Sequence, residues 1–176
     1  MENTVQPLDS ISESLRKITY GYYILTTRKD SLELTTRAED YVAAGTVCWV
    51  SQVSFDPKLV MVAVGKDRDL NETIQKSQVF ALNVLGEKNQ PLIELFSRKT
   101  DVQDEAHRLN GYRFEDGETG APLLTDTVAS LECRLADAVT LKGDHMIFIG
   151  EVVNAVVRDA EEPLLTDLGA GYKYGG

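Results

Sequence analysis

Short runs of β-branched and aromatic residues recur along the first half of the chain, each bounded by glycine, aspartate, proline or lysine. Runs of this length and composition are typical of β-strands, because branched and aromatic side chains pack well on a pleated surface. The pattern predicts four strands, at residues 20–27, 46–53, 59–64 and 79–85.

The second half of the chain shows a similar pattern. Leu131, Cys133 and Leu135 alternate with polar positions, and residues 145–157 form another long apolar run. Alternation at every second position is the period of a half-buried strand. The turn residues 142–144 lie between the two runs and predict a hairpin.

Helical spacing is clearest near the start of the chain. Ile11, Leu15 and Ile18 recur every three to four residues, which predicts a short amphipathic helix over residues 10–18. Ser10 and Glu13 have the spacing of a capping box, in which each side chain bonds to the other's backbone N–H.

Two further short helices are predicted between the strands. Asp69 and Glu72 form a second capping-box pattern ahead of Ile74. Pro91 suits the first turn of a helix over residues 91–96, because a first-turn residue needs no N–H donor.

Two stretches have no clear period. Residues 28–41 are polar and charged, and we expect a surface loop that could also cover a site. Residues 98–120 are charged, and their isolated Leu109, Tyr112 and Phe114 predict an anchored excursion without regular structure.

Many strands at short intervals with only brief helices favour a mainly β fold, a closed or nearly closed barrel with a few short peripheral helices. Closure also removes exposed sheet edges, which are prone to pair with other chains. A length of 176 residues fits one domain, predicted to span residues 1–176.

Charge and composition limit the partners, the location and the metal chemistry that the chain is expected to have. The 28 acidic and 18 basic residues give a net charge of −10, which argues against nucleic acid or an anionic membrane as partner. The first residues lack a signal-peptide pattern, and the longest apolar run, 59–64, is too short to span a bilayer, so we expect a soluble cytoplasmic protein. Cys48 and Cys133 are far apart in sequence, and we expect two free buried thiols and no metal site.

These patterns contain no Ser/His/Asp set, spaced carboxylate pair or glycine-rich phosphate loop, so on their own they predict a β-barrel and no particular activity. Longer strings are more specific. The string T-V-C-W-V-S-Q-V-S-F-D-P at residues 46–57 resembles the T-A-N-W-V-T-Q-V-S-F-x-P segment of the flavin reductase-like family. Five further pieces resemble that family in the same order: V-G-K-D-R at 64–68, F-A-L-N-V-L at 80–85, L-E-C at 131–133, the G-D-H hairpin at 143–145 with Gly150 and Val152, and P-L-L at 163–165 with Tyr172.

The resemblance implies an FMN-binding split β-barrel homodimer with flavin near the subunit interface, in many members reduced by NADH or NADPH. Hydride transfer from nicotinamide to flavin needs orientation and electrostatics but no covalent nucleophile. His145 is the candidate catalytic residue, as a contact for the nicotinamide. The candidate FMN-binding residues are Thr46, Val47, Cys48, Trp49, Val50, Ser51, Gln52, Lys66, Asp67, Arg68 and Asn71.

The chain departs from the family pattern at two places. Cys48 stands where many members have Asn, and a thiol is a weak donor. Leu70 stands where a phosphate-binding Thr often follows, and Thr73 is three residues further on. Asn71 or the free N–H groups of the following helix are the predicted replacements.

Other interpretations stay open at this point. Trp49 could be a core residue, Lys66 and Arg68 solvated turn charges, and His145 an exposed turn residue. His107 is interpreted as a surface residue. At the level of function, the alternatives are a flavoredoxin-like FMN electron carrier to a redox protein partner, without nicotinamide activity, and a flavin-free binding or regulatory barrel.

Overall fold

The computed structural model describes residues 9–29, 42–140, 142–171 and 173–175, and antiparallel strands are its main regular structure. The strands are β1 (Tyr23–Arg28), β2 (Val42–Val47), β3 (Val50–Ser54), β4 (Leu59–Gly65), β5 (Val79–Val84), β6 (Val102–Gln103), β7 (Arg108–Leu109), β8 (Tyr112–Asp116), β9 (Pro122–Leu124), β10 (Ala129–Thr140) and β11 (His145–Val157). The α-helices are α1 (Ser10–Leu15), α2 (Asp69–Ser77), α3 (Pro91–Leu95) and α4 (Asp167–Ala170), and Glu87–Asn89 is a 3₁₀ turn. The predicted mainly β class with a few short helices is confirmed.

Seven strands form one sheet in the order β2-β1-β5-β10-β11-β4-β3. Its edge strands, β2 and β3, are consecutive in the chain and are joined by Cys48 and Trp49 alone. The single strand predicted at 46–53 is therefore wrong, because the chain leaves one edge at Val47 and enters the opposite edge at Val50. This connection brings the two ends of the sheet together, as a barrel requires.

The sheet curves around a buried apolar cluster. Alternate residues of β4 are buried, among them Val60, Val62 and Val64, so one face of the strand points inward. Phe80 from β5 and Phe148 from β11 meet them in the same cluster. Burying side chains of this size contributes about 1.5–3 kcal/mol each, which makes this cluster a main source of stability.

The predicted β10–β11 hairpin is confirmed. β11 begins at His145 and ends at Val157, as the sequence indicated. The two strands pair over their length, from Ala129 with Val157 to Thr140 with Met146.

The first helix begins at Ser10, as predicted, but its N-cap is the preceding residue. Asp9 is the N-cap, and its carboxylate accepts a hydrogen bond from the Ser12 N–H at 2.7 Å. The predicted Ser10–Glu13 capping box is wrong, because an ionised carboxylate is a stronger acceptor at the helix N-terminus than a hydroxyl. α1 ends at Leu15, and no residue of the helix is buried.

The other two predicted helices are present. α2 begins at Asp69 with Arg68 as its N-cap, so the predicted Asp69–Glu72 capping box is wrong. Asp69 already has helical backbone geometry, and its position places a negative charge in the first turn. α3 has Pro91 in its first turn, as predicted.

Residues 98–120 are more regular than predicted. They contribute β6, β7 and β8 to a second, four-stranded sheet with β9. Leu109 and Phe114 are buried, which confirms them as anchors. Asn110 and Gly111 both have positive φ, 49° and 83°, as a tight hairpin turn requires.

Two further expectations are a surface loop at residues 28–41 and the lack of a segment that could span a bilayer. Arg28 ends β1, while most of the loop predicted at 28–41 lies outside the described residues, which resume at Val42. Within the described ranges, no helix is both long and apolar enough to cross a membrane.

Candidate functional site

A cavity of about 630 Å³ opens where the β2–β3 connection, the β4–α2 turn and the β10–β11 hairpin meet. Its volume lies in the range of sites for small organic ligands and cofactors, about 300–1,000 Å³. The structure brings together around it eight of the predicted site residues: Thr46, Val47, Cys48, Trp49, Lys66, Asp67, Arg68 and His145.

Four predicted site residues do not line this cavity. Val50, Ser51 and Gln52 belong to the edge strand β3, where Ser51 and Gln52 are exposed. Asn71 is buried in α2, and its Nδ2 is 3.4 Å from the Val64 carbonyl oxygen. Its side chain therefore supports the β4–α2 turn.

Thr46 and Cys48 contribute to the wall in different ways. The Thr46 hydroxyl donates to the Ile93 carbonyl at 2.8 Å, and the Thr46 N–H donates to the Phe96 carbonyl at 3.1 Å, which ties β2 to α3. Burial raises the pKa of the Cys48 thiol to about 12, so Cys48 is a neutral thiol at physiological pH. The wall at Cys48 is apolar in character.

One backbone hydrogen bond holds the basic turn between β4 and α2 to the hairpin, and a second closes the turn itself. The Lys66 N–H donates to the Asp144 carbonyl at 2.9 Å, and the Arg68 N–H donates to the Gly65 carbonyl at 3.2 Å. These bonds fix one end of the cavity beside the first turn of α2.

Arg68 is half-buried, and the described part of the chain gives its side chain no ion pair and no hydrogen bond. Its guanidinium lies against β2: a Cβ added at Gly45 would be only 2.6 Å from Nη2. Gly45 is thus small enough to admit the Arg68 side chain. A half-buried cation of this kind favours an anionic ligand.

A second cavity of about 220 Å³ adjoins this end of the site. Asp67, Arg68, Leu70 and Ser97 line both cavities. The smaller cavity also contacts Arg98, Lys99 and Thr100. Sequence reasoning missed Ser97, Arg98 and Lys99, although two adjacent cations in an acidic chain were the available signal.

Three aromatic side chains lie together at the other end. The Trp49 ring centroid is 4.7 Å from that of His145 and 5.1 Å from that of Tyr174. His145 Nδ1 is 2.6 Å from Asp144 Oδ1, and Nε2 is 3.1 Å from the Tyr174 hydroxyl. The hydrogen bond with His145 lowers the pKa of Asp144. Tyr174 was missed in the sequence, and Tyr172 lies outside the described residues.

Three other residues that the sequence analysis considered do not line the cavity. Thr73 is buried within α2 and does not line it. His107 is largely exposed and packs beside Phe114, with Nε2 3.5 Å from Asp116 Oδ2. Cys133 is in the core, where burial raises its pKa to about 12.

The structure is thus a mainly β protein with one cavity that carries the rings of Trp49, His145 and Tyr174 at one end and the basic turn at the other. Residues 15–175 match the family described as the flavin reductase like domain. The chain belongs to this family.

Individual relatives differ in how much of their length is matched. The chain is 34% identical to diflavin flavoprotein A 1 of Synechocystis sp. over 159 residues. This alignment covers 89% of the chain but 26% of that protein. The chain thus spans about a quarter of the length of the diflavin flavoproteins it matches. It is 28% identical over 132 residues to the FMN reductase (NADH) RutF of Enterobacter cloacae, covering 75% of the chain and 78% of RutF.

The fold is also similar to that of solved flavin reductases. The structure of flavin reductase PheA2 aligns with a TM-score of 0.70 at 26% sequence identity, covering 96% of this chain and 99% of PheA2. A flavin reductase structure from Haemophilus somnus aligns with a TM-score of 0.76 at 18% identity, which supports the fold.

Proposed function

We propose that the protein binds FMN in the 630 Å³ cavity and acts as an NAD(P)H:flavin oxidoreductase, transferring a hydride from NADH or NADPH to the flavin. The observation that carries this proposal is the arrangement of the cavity, with Trp49 and His145 at one end and Arg68 at the other. Membership of the flavin reductase-like family supports it.

The residues present fit an FMN group. We assign the phosphate to the end near Arg68, where charge-assisted hydrogen bonds are about twice as strong as neutral ones. Lys66 and the N-terminus of α2 add positive potential there. Ser97, Arg98 and Lys99 extend the same end through the adjoining cavity, which leaves space for a longer phosphorylated group.

The ring is assigned to the wall formed by residues 46–49. Cys48 and Trp49 lie between two strands and have no partner in the described ladders. Their main-chain N–H groups are therefore the proposed donors to the polar edge of the ring, a role that does not depend on side-chain identity. This explains how the family's Asn can be replaced by Cys48.

The bound flavin and the reduced nicotinamide supply the redox chemistry, and the chain supplies orientation. Trp49 and His145 form the proposed surface that receives the nicotinamide ring. Because Asp144 holds His145 at Nδ1, the imidazole keeps one orientation at the mouth. Holding two reactants in contact lowers the barrier without a covalent step.

Anaerobic mixing of the FMN-loaded protein with NADH and with NADPH tests this proposal. The absorbance of oxidised flavin is expected to bleach promptly with at least one of them. His145→Gln is expected to slow bleaching while FMN stays bound, and His107→Gln, which changes the other imidazole, is expected to leave the rate unchanged. Bound FMN that neither nucleotide bleaches would contradict the reductase activity.

A second candidate is an FMN electron carrier that exchanges electrons with a redox protein partner. It is supported by the match to about a quarter of each diflavin flavoprotein, where the similar region is one part of a longer protein. The same anaerobic experiment separates the two: a carrier keeps its flavin oxidised with both nucleotides and is reduced on addition of a protein donor.

We further propose that the protein is a cytoplasmic homodimer of one flavin-binding domain. Large apolar side chains are exposed around the β3–β4 turn and the end of β11: Val53, Phe55, Val153, Val156 and Val157. Phe55 is 86% exposed, and a second copy would remove such groups from water. Sedimentation velocity is expected to show twice the chain mass; a monomer over the micromolar range would contradict the dimer.

A further inference from the structure

The segment that carries Tyr174 is fixed to the body of the protein by a nearly buried ion pair. Lys173 Nζ donates to Asp167 Oδ2 at 2.5 Å and to the Ile18 carbonyl at 2.6 Å. The Asp167 side chain is 1% exposed, and its other oxygen accepts from the Tyr20 N–H at 2.9 Å. The hydrogen bond from Lys173 lowers the pKa of Asp167. A buried pair is costly to form and specifies position more than it adds stability.

Tyr20 holds the next residue from the opposite side. Its hydroxyl donates to the Tyr174 carbonyl at 2.9 Å and accepts from the Tyr174 N–H at 2.5 Å. The Lys173 ammonium lies 4.7 Å from the centre of the Tyr20 ring. The backbone at Tyr174 is therefore fixed by both of its hydrogen-bonding groups.

The side chain of Tyr174 is directed to the mouth of the cavity. Its hydroxyl is 3.1 Å from His145 Nε2, and its ring packs beside Trp49. Because Asp144 accepts from Nδ1, a neutral imidazole presents Nε2 as an acceptor, to which the Tyr174 hydroxyl donates. Both ring nitrogens of His145 are then engaged.

We propose that Tyr174 is a positioning residue for the nicotinamide, acting through His145 and Trp49. Its hydroxyl holds the imidazole and its ring supports the indole, so that both rings present one fixed surface to the incoming nicotinamide. The role rests on the proposed reductase function. It predicts an effect on nicotinamide binding, with little effect on FMN affinity.

Steady-state kinetics with FMN saturating tests this role. Tyr174→Phe keeps the ring and removes one hydrogen bond, so the KM for the preferred nucleotide is expected to rise about three- to tenfold. Turnover at saturation is expected to stay within about twofold, because the hydride-transfer surface is intact once occupied. Tyr20→Phe, which removes both bonds to the Tyr174 backbone, is expected to raise the KM in the same way.

The matched control is Tyr112→Phe, which removes a hydroxyl from a ring that packs near Phe96 and lies outside both cavities. It is expected to have wild-type constants. A wild-type KM in Tyr174→Phe would overturn the role. A KM below the wild-type value in Tyr174→Ala would also overturn it, because the ring would then obstruct the nucleotide.

Trp49 provides a readout that does not depend on turnover, because it is the only tryptophan in the chain. Tyr174→Ala is expected to shift its emission to longer wavelength and to increase quenching by acrylamide, whereas Tyr174→Phe leaves both unchanged. Unchanged emission in Tyr174→Ala would overturn the support of Trp49. Absence of nicotinamide turnover in the wild type would contradict the proposed function and the role together, while wild-type turnover with no change in the variants contradicts the role alone.

Discussion

Arg68→Met is expected to raise the dissociation constant for FMN about 10- to 100-fold, because hydrogen bonds to charged groups contribute about 1.5–3 kcal/mol. Arg68 is the half-buried cation shared by both cavities. Methionine retains much of the apolar stem and removes the charge. The affinity for riboflavin, which lacks the phosphate, is expected to stay unchanged in the same titration.

Salt and a matched variant sharpen this test. The difference between wild type and Arg68→Met is expected to shrink as ionic strength rises, since ions screen a partly exposed charge. Arg134→Met removes an exposed cation of β10 outside both cavities and is expected to bind FMN as the wild type does. Equal weakening of FMN and riboflavin by Arg68→Met would contradict the phosphate assignment.

Gly150→Val is expected to lower the free energy of unfolding by about 3 kcal/mol, the upper part of the range for overpacked cores. Gly150 lies on β11 and is buried where β10 and β5 press against it. A Cβ added there would be 2.6 Å from Phe80 Cζ and 2.7 Å from Cys133 Cβ. The second of these is close to the backbone and has little room to move.

Thermal and urea unfolding of Gly150→Val check this expectation. For a chain of this size the loss corresponds to a fall in melting temperature of about 6–12 °C. Gly143→Ala is the control, because an added Cβ at that exposed turn meets no atom within 4 Å. A wild-type melting temperature for Gly150→Val would mean that the inner face of β11 is not packed as described.

Local patterns predicted β11 to the residue, but the break between β2 and β3 was invisible to them. Residues 46–53 contain no charge, glycine or proline, so nothing within the run indicates an interruption. Up to Val47 the chain pairs with β1, and from Trp49 onward it bonds to β4, where the Ala63 N–H donates to the Trp49 carbonyl at 3.0 Å. Contacts of this kind are not encoded in a hydrophobic period.

The second sheet shows a different reason for a missed element. β6 and β7 are two residues long, too short for alternation to be recognised. The sequence did carry one usable signal, Asn110-Gly111 between Leu109 and Tyr112, which is a strong hairpin pattern. The charged residues on both sides of this turn made the flanking strands hard to recognise.

For the candidate site, sequence strings located the parts that are contiguous. Residues 46–49 and 66–68 do line one cavity, since each is a single local segment. Ser97 and Tyr174 come from segments more than 25 residues away from either string, and only tertiary bonds place them there. Asn71 failed as a cavity residue because the helix turns its side chain back toward the Val64 carbonyl.

A crystal structure of the protein with FMN is the decisive test of whether FMN occupies this cavity. We expect the ring beside residues 46–49 and the phosphate within hydrogen-bonding distance of Arg68, with His145 and Trp49 at the open face. FMN bound at another surface, or in this cavity with its phosphate beside Trp49 and His145, would contradict the proposed binding site.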